Sequence, residues 1–272
     1  MPEGDTIFRA ARTLNRALAG RTVARFESVY PALTRIDHQA PIAGRVVEAV
    51  SSRGKHMLMA FSGDLILHTH MRMHGSWHIY RPGERWRAPS HDMRIVIGTD
   101  AYVAVAFNVP VAEFLTRAEL ARHTQIQALG PDLAAASFDR DEVRRRLADR
   151  RDEPIHDVLL NQQVLSGIGN VLKSEALFVA RINPFTLVRD IDDPTLDRLI
   201  DVSLRLMKMN ITDTVISPAG PGRRTTGSLD PTARLFVYGR SGKPCRTCGT
   251  PIESRKTGVD ARLTCWCPKC QA

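Results

Sequence analysis

Ile7, Ala11, Leu14 and Leu18 are spaced i, i+4, i+7 and i+11, which is one face of a 3.6-residue period. This spacing predicts a helix over residues 6–19, with Asp5 or Thr6 as its N-cap. From position 21 to 107 the period shortens. Apolar runs at Val46–Val50, Met57–Phe61, Leu65–Leu67, Met93–Ile97 and Tyr102–Phe107 are punctuated by Gly, Ser, Asp and Pro. Short strands between turns predict a β-sandwich or barrel. Helical spacing returns over 116–210. There Asp139-Arg140-Asp141-Glu142 reads as an N-cap with Glu at N3, Gly167-Ile168-Gly169-Asn170 separates two helices, and Asn183-Pro184 ends the second. Residues 217–230, rich in Pro, Gly, Ser and Thr, read as a linker, and 235–272 form a cysteine module. No internal repeat is present.

The chain has 272 residues, enough for more than one core, so two or three domains are expected. With 43% hydrophobic and 25% charged residues it has globular composition, which excludes a disordered or collagen-like chain. No run of about 18 apolar residues occurs, which argues against a membrane span. The acidic start Met1-Pro2-Glu3-Gly4-Asp5 does not read as a signal peptide. A cytoplasmic location is therefore expected. The net charge of +9 fits either a solvated basic surface or a polyanionic partner.

All five cysteines lie near the C-terminus: Cys245, Cys248, Cys265, Cys267 and Cys270. Cys245-x-x-Cys248 and Cys267-x-x-Cys270 are two short-spaced pairs with eighteen residues between them. Four thiolates of this kind select Zn2+ in a closed structural site, with Thr250–Trp266 forming a β-hairpin. Cys265 is left over and reads as a free buried thiol.

Two weaker signals bear on chemistry. Proline at position 2 permits removal of Met1, leaving a secondary amine that can attack an electrophilic carbon and form an iminium. Glu3 beside it could move protons, and a helix N-terminus nearby favours the unprotonated amine. The same residues also fit an ordinary helix start. The segment Leu159 to Asn170, with Gly167 and Gly169, fits either a phosphate-binding helix N-terminus or a plain helix–helix turn.

Read in order, Pro2-Glu3-Gly4, Gly54-Lys55, His70-Met71-Arg72-Met73-His74-Gly75, Leu129-Gly130-Pro131-Asp132, Gln162 through Asn170, Val237-Tyr238-Gly239-Arg240 and the terminal cysteines span essentially the whole chain. This order resembles the formamidopyrimidine-DNA glycosylase / endonuclease VIII family of base-excision repair enzymes. The resemblance implies an α+β multidomain fold: an N-terminal helix on a two-sheet β-sandwich, a helical domain with a helix–two-turns–helix element, and a C-terminal zinc-finger hairpin. Domains are expected at 1–115, 116–230 and 231–272.

The resemblance also implies roles. Pro2 attacks the sugar C1′, Glu3 transfers protons, and Lys55 reaches DNA phosphate near the lesion. Asn170 in the helical turn and Arg262 in the finger contact the DNA backbone, where a planar guanidinium suits phosphate. Because the target base must leave the stack, Arg72, Met73 and His74 are the expected void-filling loop, with Met73 as the wedge. Ala106-Phe107-Asn108-Val109-Pro110 lacks the Arg-Arg-Phe of the purine-directed branch, which points to the endonuclease VIII branch and oxidised pyrimidines. The implied partner is damaged DNA, bound by a nucleoid-associated monomer, with structural Zn2+ as the cofactor.

Two features depart from the family pattern. Thr6 stands where a second glutamate is usual, and the cysteine pairs lie two residues further apart, with the extra length expected around Arg255–Asp260. Two readings follow: a bifunctional DNA glycosylase and AP lyase, favoured by Pro2 and Lys55, or a catalytically silent binder of damaged or branched DNA, for which Thr6 leaves room.

Overall fold

A computed structural model describes residues 2–212, 222–228 and 230–272. Part of the expected linker, 217–221 and Leu229, lies outside the described residues, as does Met1. The chain divides into two compact units, 1–128 and 129–272.

The first unit runs α1 (Gly4–Leu18), β1 (Arg25–Ser28), α2 (Pro31–Gln39), β2 (Val47–Arg53), β3 (His56–Phe61), β4 (Leu65–His70), β5 (Ser76–Tyr80), β6 (Met93–Gly98), β7 (Val103–Phe107), β8 (Val111–Leu115), α3 (Arg117–Arg122) and α4 (Thr124–Gln127). The strands form two antiparallel four-stranded sheets, ordered β1-β6-β7-β5 and β2-β3-β4-β8. The expected β-sandwich is thus present, with α1 packed against β2, β3 and β5. The predicted face of α1 is the buried one: Ile7, Ala11, Leu14 and Leu18 are each at most 2% exposed. They join Met57, Met59, Phe61, Leu67, Ile95 and Ile97 in one core. Asn15 ties the helix to the sheet, its Oδ1 accepting from the Val50 N–H at 2.8 Å.

Two expectations need correction here. The N-cap of α1 is Glu3, not Asp5 or Thr6. Glu3 is extended (φ −119°, ψ −179°), and its carbonyl accepts from the N–H groups of Thr6 (2.9 Å) and Ile7 (3.0 Å), so the first turn closes two residues earlier. The region read as strands also contains α2, which opens with Pro31 in its first turn and buries Leu33. A single buried position leaves no apolar period to detect.

The second unit runs α5 (Arg140–Ala148), α6 (Ile155–Val158), α7 (Asn170–Ala180), α8 (Asp193–Ile211), β9 (Glu253–Thr257) and β10 (Arg262–Trp266). Asp139 caps α5 as expected, its side chain accepting from Glu142 N at 2.9 Å. Helix α7 stops at Ala180, before Asn183-Pro184, because Arg181 turns left-handed (φ 56°) and the N–H groups of Arg181 and Ile182 return to the carbonyls of Phe178 and Leu177. β9 and β10 form the expected hairpin, and its turn over 258–261 falls where the extra length was placed.

Helix α7 is the centre of this unit, packed against α8 and β10. Two of its charged side chains are fully buried and serve the finger. Lys173 Nζ donates to Thr264 Oγ1 at 2.7 Å. Glu175 accepts the backbone N–H groups of Phe236, Val237 and Tyr238, each at 2.8 Å, and the Thr225 hydroxyl. A carboxylate with four donors needs no cationic partner to stay in the core.

Candidate active site and nucleic-acid interface

In the first unit, Pro2 is half-buried and immediately precedes Glu3, the N-cap of α1. Glu3 is 0% exposed and its side chain does not cap α1. Asp5, also 0% exposed, accepts from the Thr6 hydroxyl at 3.4 Å and lies 3.9 Å from the Arg9 guanidinium. The position where a second glutamate was expected therefore holds a hydroxyl turned onto a buried aspartate. The N–H groups of the first helical turn make this end of α1 electropositive.

Lys55 occupies the two-residue turn between β2 and β3, where Gly54 takes a left-handed φ of 59° that glycine adopts without steric cost. It is half-buried, and its charge faces His70 at the end of β4. The loop after β4 holds Arg72, Met73 and His74, all exposed, with Met73 at 52%. Two contacts shape it: Arg72 N donates to His70 Nδ1 at 3.0 Å, and Gly75 N to the Met71 carbonyl at 2.9 Å. A Cβ on Gly75 would stand 2.5 Å from that carbonyl, so only glycine closes the turn. Met71 is buried, whereas Met73 is exposed. An exposed thioether on an anchored loop has the shape a wedge needs.

In the second unit, Gln162 braces the glycine turn. Its amide donates to the carbonyls of Leu160 (2.8 Å) and Ile168 (2.9 Å) and accepts from Gly167 N (3.1 Å). Gly169 is the N-cap of α7, and Asn170 is its first residue. Asn170 is 5% exposed, and its Oδ1 has no hydrogen-bond partner among the described residues. Arg262 opens β10, half-buried, with Asp260 at 3.5 Å.

The four cysteine sulfurs of Cys245, Cys248, Cys267 and Cys270 lie within 4.8 Å of one another. Cys248 and Cys267 are 3.5 Å apart and Cys245 and Cys270 3.9 Å. A tetrahedral zinc with bonds of about 2.3 Å needs sulfurs about 3.8 Å apart. Backbone N–H groups of Thr247 and Cys270 reach the sulfurs of Cys245 and Cys267, each at 3.4 Å, as thiolates require. The donor set fits structural Zn2+. Cys265 is outside the cluster, 0% exposed, and burial pushes its thiol upward in pKa.

His56, His68 and Glu113 on the second sheet form a chain of side chains with His123, the N-cap of α4, that no sequence signal singled out as a unit. The His68-Thr69-His70 alternation signalled two imidazoles on one sheet face, but their pairing to His56 and Glu113 needed the strand register. Asp5 was considered only as a helix cap, and its burial could not be read from its type.

Among known proteins, the formamidopyrimidine-DNA glycosylase N-terminal domain matches residues 1–110, its H2TH domain 129–218, and the zinc finger found in FPG and IleRS 242–272. The chain is 38% identical to the probable endonuclease 8 2 of Streptomyces coelicolor, covering all of this chain and 94% of that one. It is 35% identical to the DNA-(apurinic or apyrimidinic site) lyase Nei2 of Mycolicibacterium smegmatis, over 100% and 99% of the two chains. Among solved structures, Lactococcus lactis Fpg in complex with abasic-site DNA superposes with a TM-score of 0.81 at 22% identity, covering 99% of each chain. That likeness bears on the fold.

Proposed function

The chain belongs to the formamidopyrimidine-DNA glycosylase family, and from that premise we propose that it is a bifunctional DNA glycosylase and AP lyase of base-excision repair, directed at oxidised pyrimidines. The observation that carries the reading is the N-terminal end of α1, where the fully buried Glu3 follows Pro2 directly and caps the helix through its backbone carbonyl rather than its carboxylate.

In this reading Met1 is removed and the Pro2 amine attacks C1′ of the damaged nucleotide. The glycosidic bond breaks, its electron pair leaves with the base, and Glu3 manages the proton the departing base requires. Ring opening gives an iminium between Pro2 and C1′. The iminium acidifies the C2′ proton, whose loss expels the 3′ phosphate, and a second elimination expels the 5′ phosphate. Lys55 sets the phosphate beside the lesion. Met73, flanked by Arg72 and His74, fills the stack that the flipped base leaves. Asn170 and Arg262 hold the backbone. Cys245, Cys248, Cys267 and Cys270 carry Zn2+, which supplies only the cross-link that shapes the finger. The protein then works as a monomer on damaged DNA at the nucleoid. No helix of the described residues is long and apolar enough to cross a membrane.

The test is base release from duplex oligonucleotides carrying one oxidised pyrimidine, one oxidised purine or one abasic site. The reading expects release of the oxidised pyrimidine and strand cleavage at the abasic site. Tight binding to all three with neither reaction would identify a silent binder instead.

A further inference from the structure

The outer face of the second sheet, opposite the sandwich core, carries a line of polar side chains that the chemistry above does not use. Alternation puts Met57, Met59 and Phe61 of β3 into the core and turns His56 the other way. On β4, His68 and His70 take that same face, and Glu113 stands opposite His68 on β8.

The contacts run in one direction. His123 Nε2 and His68 Nδ1 both meet Glu113 Oε1, at 3.1 and 2.8 Å, and His68 Nε2 meets His56 Nδ1 at 2.8 Å. His56 lies between His68 and His70, with ring centroids 5.0 and 4.8 Å away. It directly follows Lys55 in the chain, and His70 directly precedes the turn that carries Arg72 and Met73.

Hydrogen-bond partners fix every proton in this line. A carboxylate only accepts, so His68 donates from Nδ1 and must accept at Nε2, which makes His56 donate from Nδ1. At the far end, the Ile126 N–H donates to His123 Nδ1 at 3.3 Å, capping α4. His123 therefore carries its proton on Nε2 and also donates to Glu113. The Arg72 N–H, donating to His70 Nδ1, gives His70 the same tautomer. Burial first, then neighbouring positive charges, holds His56 at about 3 and His70 at about 4, and burial lowers His68 despite Glu113. Burial works against the Glu113 carboxylate, but the bonds from His68 and His123 outweigh it and keep it ionised.

The same three groups, His68, Glu113 and His123, have the donor types of a divalent-metal site. The helix cap argues against that use. A metal on His123 Nε2 requires a proton on Nδ1, where the Ile126 N–H already points.

We propose that the His123–Glu113–His68–His56 chain is a metal-free positioning network, anchored at the α4 cap and ending at His56 and His70, that holds Lys55 and the Arg72–His74 loop in their working arrangement. This rests on the reading of Lys55 and Met73 as DNA-contacting groups. Glu113 is its only charged acceptor, and two imidazoles depend on a single oxygen. Removing that oxygen frees His68 to change tautomer, while the Ile126 N–H still holds the His123 proton on Nε2, and the freedom reaches the Lys55 turn through one more hydrogen bond, from His68 to His56.

The experiment uses the full-length, zinc-loaded protein labelled with 15N. Two-bond 1H–15N spectra near neutral pH are expected to show the proton on Nδ1 in His56 and His68 and on Nε2 in His70 and His123. A proton on Nε2 of His68, or a second zinc bound per chain, overturns the proposal from the unmutated protein alone. Glu113→Ala is expected to erase the His68 signature and slow single-turnover cleavage at an abasic site about tenfold, with DNA affinity kept. Glu113→Gln retains an acceptor oxygen and is expected to restore both. Loss of the signature with an unchanged cleavage rate overturns the positioning role. Lys55→Ala separates the two levels. If it leaves cleavage intact, the functional reading of Lys55 fails and takes the proposal with it. If it slows cleavage while Glu113→Ala does not, the proposal alone fails.

Discussion

Glu175→Ala is the most demanding test of how the helical unit carries its finger. The wild-type carboxylate is fully buried and accepts three backbone N–H groups, from Phe236, Val237 and Tyr238, together with the Thr225 hydroxyl. Truncation removes the acceptor of all these donors. An orphaned buried donor costs ~1–3 kcal/mol, so three backbone groups alone give at least ~3 kcal/mol. That is a large fraction of a typical folding free energy of ~5–15 kcal/mol. Glu175→Gln keeps one oxygen, enough for Val237 and Tyr238, but turns an NH2 toward the Phe236 N–H. It is expected to lose ~1–3 kcal/mol, between wild type and Ala. Urea unfolding of the zinc-loaded protein, followed by far-UV circular dichroism, measures both. A loss below ~1 kcal/mol for Glu175→Ala would mean that water or other side chains satisfy the donors and that the carboxylate is not what holds this turn.

Other expectations follow from the same geometry. His56 and His70 are held at about 3 and about 4, so the unfolded chain binds more protons below its own histidine pKa near 6.5. Their stabilising effect is complete above that value and is lost as pH falls toward 4; a denaturation midpoint that stays flat from pH 7 to 4 would contradict it. Met73→Ala is expected to slow base excision from duplex far more than from single strands, since only a stack must be held open; equal slowing on the two substrates would place the wedge elsewhere. Cys248→Ser is expected to lose zinc and DNA affinity together while Cys265→Ser keeps one zinc per chain, as metal analysis will show. Arg262→Ala is expected to weaken binding to all sequences alike and flatten the dependence of log affinity on log salt by about one phosphate contact; an unchanged slope excludes a backbone contact.

The apolar period placed α1 and its buried face correctly because one stripe meets one core. The strands at β2, β3, β4, β6 and β7 were visible as short apolar runs for the same reason. Helix α2 was not, because it buries little more than Leu33 and leaves no period to detect. The cysteine cluster was legible from spacing alone, since two close pairs leave a zinc few other arrangements. Glu175 matches a family position and reads as structural, as it is, but its partners were not legible: the backbone donors lie some sixty residues away in a turn with no distinctive composition. The histidine chain was hidden for a related reason. His56, His68, Glu113 and His123 are scattered over three strands and a helix cap, and only the β3-β4-β8 register aligns them. The Thr6 departure also reads differently in three dimensions, where Asp5 is a buried carboxylate that accepts from the hydroxyl.

The claim that Pro2 is the nucleophile has one direct test. Borohydride reduction during reaction with abasic-site DNA converts an iminium into a permanent protein–DNA adduct, and peptide mass spectrometry then locates it. A single adduct is expected on the N-terminal peptide, at the Pro2 nitrogen of a chain lacking Met1, and no adduct when extra residues block that amine. An adduct mapped to Lys55, or trapping that persists with the terminus blocked, would contradict it and leave Pro2 as no more than the lead-in to the first helix.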